Sequence, residues 1–170
     1  MKRRILVAAV YSALMAVASV ADAEDTAVAP PAGAALLLRV TADGVQIYAC
    51  ETTDTGRGWV FKAPEAALFD SDGRQIGTHF AGPTWKLADG SAVVGEVAAR
   101  GDAPSAGAIP WLLLRVMSHD GGGSLANAAF IRRIDTQGGA APKPTCDAAH
   151  IAEQARMRYS AIYEFYAAPK

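Results

Sequence analysis

The stretch GTHFAGPTWKLADGS, residues 77–91, brings an imidazole (His79), an indole (Trp85) and a carboxylate (Asp89) into fifteen positions. An imidazole with a nearby carboxylate, Asp89 or Glu65, is the minimal set for acid–base chemistry. An indole on a β scaffold holds sugars and planar molecules by stacking. Both side chains also have an ordinary structural use, the imidazole bonded to a backbone carbonyl and the indole filling core. His79, Trp85, Asp89 and a second indole, Trp59, are therefore the candidate ligand contacts, and Trp111, inside the most apolar run, reads as core.

Other catalytic patterns are absent. The chain has no His-Glu-x-x-His, no Gly-x-Ser-x-Gly, no phosphate loop and no dinucleotide-binding glycine fingerprint. Ser124, in Gly122-Gly123-Ser124, sits in a Gly-rich turn instead of at the strand-to-helix elbow a nucleophile needs. Asp70-Ser71-Asp72-Gly73 lacks the later ligands of a calcium loop and reads as a turn braced by its own Asp side chains. His119 and His150 are not spaced with His79 as metal ligands, so neither a metal nor a cofactor is expected.

The residues before this region define a compartment. Lys2, Arg3 and Arg4, the apolar run Ile5 to Val20 and the small-x-small end Ala21-Asp22-Ala23 form the three parts of a secretory signal, with cleavage expected between Ala23 and Glu24. The apolar run is shorter than the roughly 20 residues that span a bilayer, and nothing later in the chain is long and apolar enough. Removal of residues 1–23 leaves 13 Lys and Arg against 16 Asp and Glu, a charge of −3, so no basic surface exists for nucleic acid. An exported protein, periplasmic or extracellular, oxidises its thiols, and Cys50 and Cys146 are the only two. They are expected to form a disulfide worth roughly 4–5 kcal/mol on the chain-entropy account.

The elements that position these groups are strands. Residues 24–35 are small, Pro-containing and aperiodic, a flexible lead-in, and residues 36–170 form one domain. Four Asp-Gly pairs, at 43–44, 72–73, 89–90 and 120–121, are hairpin signals. Between them run 36–41, 45–51, 58–62, 66–70, 75–80, 91–100, 111–119, 127–136 and 157–166, the last with strict period-two alternation. Within 45–51, Val45, Ile47 and Ala49 share one face and Gln46, Tyr48 and Cys50 the other, and Gly95 marks a bulge. Asp147 opens the one helical run, 147–156. About nine strands and a short helix near the C-terminus describe an all-β, single-domain antiparallel sandwich or small barrel.

The order Gly44-x-Gln46-x-Tyr48-x-Cys50, Trp59-x-Phe61-x-x-Pro64-Glu65-Ala66, Gly77-x-His79-x-x-Gly82-Pro83-x-Trp85, Pro110-Trp111, Gly138-Gly139-x-x-Pro142 and Tyr163-x-Phe165-Tyr166 resembles domain-of-unknown-function family 3455, a group of exported bacterial and fungal proteins. The resemblance spans about residues 36–167 and implies no activity, substrate or site residue. The leading functional expectation is a non-enzymatic domain that binds a small molecule or glycan. An enzyme, hydrolase or isomerase, using His79, and a surface protein making only protein contacts, are the alternatives. The oligomeric state is not readable from these residues.

Overall fold

A computed structural model of the chain describes residues 26–143 and 145–170. The expected signal sequence, with its cleavage point at Ala23 and Glu24, lies outside the described residues. Eight antiparallel strands run in chain order: β1 (Ala35–Thr53), β2 (Gly56–Phe69), β3 (Gln75–Phe80), β4 (Thr84–Leu87), β5 (Ala92–Gly101), β6 (Trp111–Asp120), β7 (Phe130–Gly138) and β8 (Gln154–Ala167). Each pairs with its sequence neighbours, and β8 returns to pair with β1, closing the sheet into an up-and-down barrel. Closure leaves no unpaired edge and settles the choice between sandwich and barrel.

The strand count differs from the expectation through two mergers and one addition. The Asp43-Gly44 pair is no hairpin but lies inside β1, which runs unbroken from 35 to 53. Gly44 is needed there for contact: a Cβ at this position would collide with the Glu65 carbonyl oxygen and sit 2.5 Å from Ala66 Cα. The runs 58–62 and 66–70 likewise join through Pro64 into β2. Proline lacks a ladder donor, and the register of β1 against β2 slips next to it, between Ile47 and Tyr48. The additional strand is β4, whose four residues are too short for a period-two signal. The other Asp-Gly pairs do turn the chain, between β2 and β3, β4 and β5, and β6 and β7. Gly95 stands at a register slip between β5 and β6, as a bulge requires.

The expected helix over 147–156 does not form. Asp147 accepts from the Ala149 amide at 2.8 Å and contacts His150 Nδ1 at 2.6 Å, but the chain turns instead of winding on, and Ala152 takes a left-handed φ of 70°. The reason is tertiary. The Ala152 amide donates to the Cys50 carbonyl and the Cys50 amide donates to the Glu153 carbonyl, drawing the segment onto the end of β1. The Cys50–Cys146 disulfide, with Cα atoms 5.4 Å apart and a separation of 96 residues, holds it there.

Alternation separates an inner from an outer face. Tyr159, Ala161, Tyr163 and Phe165 of β8 point into the barrel together with Val40, Leu68, Leu87, Val93, Leu114 and Ile131. Trp111 is buried, but in a separate cluster with Ile134 and Val28. Val28, in the stretch expected as a lead-in off the core, is fully buried and packs on the outer face of β6 and β7. This explains why 111–114 is apolar at every position: both faces are covered.

Two stability measurements test this frame. Replacing both cysteines by alanine is expected to lower the unfolding free energy by about 2–5 kcal/mol in urea titrations, with the far-ultraviolet spectrum retained. Gly44→Ala is expected to cost about 2 kcal/mol or more, whereas Gly58→Ala, whose Cβ meets nothing within 4 Å, stays within about 0.5 kcal/mol.

Candidate functional site

One end of the barrel is filled by the apolar side chains of Val40, Leu68, Leu87, Leu125 and Phe165. The other end is hollow, a cavity of about 390 Å³, within the usual size of small-molecule sites. Its walls come from the inner faces of most of the strands and from the 109–110 loop.

The Gly82-Pro83 corner sits at this hollow end. Gly82 has a φ of 84°, the left-handed conformation that glycine adopts freely, and this turn folds β4 back on β3 so that His79 pairs with Trp85. The two rings stack with centroids 4.2 Å apart and planes 11° from parallel, and Tyr163 meets both edge-on. Behind Trp85 is Gly95, where a Cβ would lie 3.2 Å from the indole Cζ3, so glycine lets the ring lie flat against β5. His79 Nδ1 is 2.9 Å from the Thr84 carbonyl, an acceptor only, so Nδ1 carries the proton and Nε2 keeps its lone pair.

Burial pushes the His79 pKa down to about 3, against the opposing pull of the Thr84 carbonyl and with a further push from the Arg133 cation. The imidazole is neutral at physiological pH. Arg133 is another buried polar side chain of the cavity, donating from Nε and Nη2 to the Pro110 carbonyl at 3.1 and 2.8 Å. Tyr48 donates its hydroxyl to the Gly139 carbonyl at 2.7 Å, and burial raises its pKa while Arg133 lowers it. Burial also holds the Tyr159 hydroxyl far above the ordinary phenol range. Two donors, Trp85 Nε1 and Gln46 Nε2, are fully buried with no acceptor in hydrogen-bond geometry.

The structure thus brings His79 and Trp85 into one cavity and leaves Asp89 and Trp59 out of it. Asp89 is at the opposite end, in the β4–β5 turn, where its carboxylate accepts from the Ser91 hydroxyl and amide at 2.6 and 2.9 Å and from the Ser124 amide at 2.8 Å. These bonds hold its pKa far below the usual carboxylate range. Ser124 takes its part there through its backbone, as a turn tether. Trp59 is half-buried on β2, paired with Cys50 across the strands. Glu65 is exposed and pairs with Arg156 at 2.9 Å. The two carboxylates considered as partners for His79 are therefore both occupied elsewhere. Among the described residues no group of three or more His, Cys, Asp or Glu is placed to hold a metal ion.

Sequence reasoning passed over Gln46, Tyr48, Arg133 and Tyr163 as site residues. Gln46 and Tyr48 share a strand face in the alternation, which was legible, but nothing local says that this more polar face is the inner one. Arg132-Arg133, set between the apolar Phe130-Ile131 and Ile134, was a usable signal: consecutive residues face opposite ways, so with both faces covered both cations must be buried.

Fold and cavity define a closed eight-stranded antiparallel barrel with an internal binding-size space open at one end. The chain belongs to the family described as Protein of unknown function (DUF3455), whose model matches residues 31–167. No curated protein and no solved structure matches the chain. No helix among the described residues is long and apolar enough to cross a membrane.

The burial of neutral His79 has a pH signature. Its folded pKa lies below its unfolded value of about 6.5, so unfolding takes up a proton once the pH falls below that value. Stability is expected to fall as pH drops from about 6.5 towards 3, by up to about 1.4 kcal/mol per pH unit from this group. Urea titrations between pH 7 and 5, above most carboxylate titrations, check it: the slope is expected in the wild type and reduced in His79→Phe.

Proposed function

We propose that the protein is an exported carrier or receptor that binds a small organic molecule inside the hollow end of its barrel. The observation that carries this reading is the cavity of about 390 Å³ floored by the His79–Trp85–Tyr163 aromatic cluster. Interiors are normally packed to near-crystalline density, and a void of this size in a small barrel forfeits dispersion contacts that a guest restores. Mostly apolar walls with a few convergent polar groups are the usual make-up of a ligand site.

A small molecule fits these walls better than a glycan. One face of the Trp85 ring is already covered by His79, and the indole is 1% exposed, so it presents no open platform for a sugar ring. Catalysis by His79 has little support, because among the described residues no carboxylate lines the cavity and burial makes the imidazole a weak base. Export is supported by the tripartite N-terminus and by the pairing of the two cysteines across the fold.

Fluorescence titration with the neutral apolar probe N-phenyl-1-naphthylamine tests the reading. The probe is expected to brighten and shift to the blue with saturable 1:1 binding in the micromolar range. Val97 is 36% exposed at the cavity mouth, so Val97→Trp is expected to weaken binding about tenfold with the urea midpoint almost unchanged. Absence of saturable binding by the wild type, or indifference to Val97→Trp, overturns the reading.

A further inference from the structure

The two adjacent arginines of β7 have opposite electrostatic situations. Arg132 faces outward and meets a buried carboxylate: its Nη1 is 3.4 Å from Glu164 Oε2. Glu164 also takes Arg39 Nη1 at 2.9 Å and the Tyr166 hydroxyl at 2.8 Å. The outer face thus supplies an anion for a buried cation. Arg133, one residue on, faces the cavity with 9% of its surface exposed. Its Nε and Nη2 share a single neutral acceptor, the Pro110 carbonyl. Among the described residues no ion pair reaches it, and no Asp or Glu lines the cavity.

Taking a guanidinium out of water costs several kcal/mol unless an anion and hydrogen bonds compensate. A single carbonyl satisfies two donors and leaves the charge. Tethering the 109–110 loop explains the hydrogen bonds but not the cation, since a neutral donor reaches a carbonyl equally well. The charge reaches two other wall residues, adding to the burial that lowers the His79 pKa and opposing the burial that raises that of Tyr48. At the mouth, Arg100 adds a second cation with no carboxylate partner among the described residues, whereas Lys62 is engaged by Glu51 at 2.8 Å.

We propose that the guest is an organic monoanion, an apolar body carrying one carboxylate or similarly shaped acid group, and that Arg133 is the residue that recognises the acid. This rests on the cavity reading above. The guanidinium fork is matched to a planar carboxylate, and the pairing gains strength in a site shielded from water. Size limits the body to roughly two or three rings or a hydrocarbon chain of similar volume, given the 390 Å³ available.

The test compares two probes of one shape, 1-naphthoate and 1-naphthalenemethanol, titrated into the disulfide-bonded protein by calorimetry at pH 7.5. The acid is expected to bind about tenfold or more tightly than the alcohol. Arg133→Gln is expected to remove that preference, leaving the alcohol within about threefold of its wild-type affinity, while Arg100→Gln and Lys62→Gln keep the preference. If Arg133→Gln does not fold, the salt dependence in the wild type decides. A preference set by a buried guanidinium persists from 20 to 500 mM NaCl, whereas one set by the exposed mouth cations collapses. Equal affinities for acid and alcohol, or a preference carried by Arg100 or Lys62 or lost in salt, overturn the assignment and leave the cavity reading standing. Failure of the neutral N-phenyl-1-naphthylamine as well is the distinct result that removes the cavity reading itself.

Discussion

The pairing of the first strand with the last is the constraint on which the molecule depends. Ladder contacts between β1 and β8 run from Ala35 and Ala167 to Ala49 and Gln154, the longest seam in the barrel together with that of β1 and β2. Its ends are distant in sequence, so its formation must overcome a large loop-closure entropy. The disulfide sits at one end of this seam, tying the β7–β8 connection to the C-terminal end of β1. A covalent link placed there limits the unfolded ensemble at the point where closure is most demanding.

Closure also creates the interior. An open sheet with these inward residues would expose Tyr159, Tyr163 and Phe165 on one side. Rolled up, the same residues fill one half of the barrel and floor a cavity in the other. Leu68, Leu87, Leu125 and Phe165 pack the closed end, whereas the Gly82-Pro83 corner and the 109–110 loop border the hollow end. Asp89 serves the closed end, where one carboxylate joins the β4–β5 turn to the β6–β7 connection.

Much of the fold was legible locally. Strand character from 36 onward, three of four Asp-Gly turns, the bulge at Gly95 and the partnership of Cys50 with Cys146 follow from alternation, turn chemistry and cysteine parity. The misreadings share one origin. Asp43-Gly44, the helix after Asp147 and the lead-in containing Val28 were judged by local propensity, and each was overridden by a contact with a remote segment: β2, the end of β1, and the outer face of β6 and β7.

Half of the candidate site was visible too, since the Gly-x-His-x-x-Gly-Pro-x-Trp stretch holds the aromatic floor of the cavity. Period-two alternation divides each strand into two faces without saying which is the inside, because that depends on the direction in which the sheet curls. So the amino-acid order alone determined a disulfide-stapled antiparallel β body with a crowded corner around His79 and Trp85. Only the closed tertiary structure decided that Arg132 meets Glu164 while Arg133 faces a cavity without an anion, since charge compensation is a property of neighbours brought together by folding and not of residues adjacent in the chain.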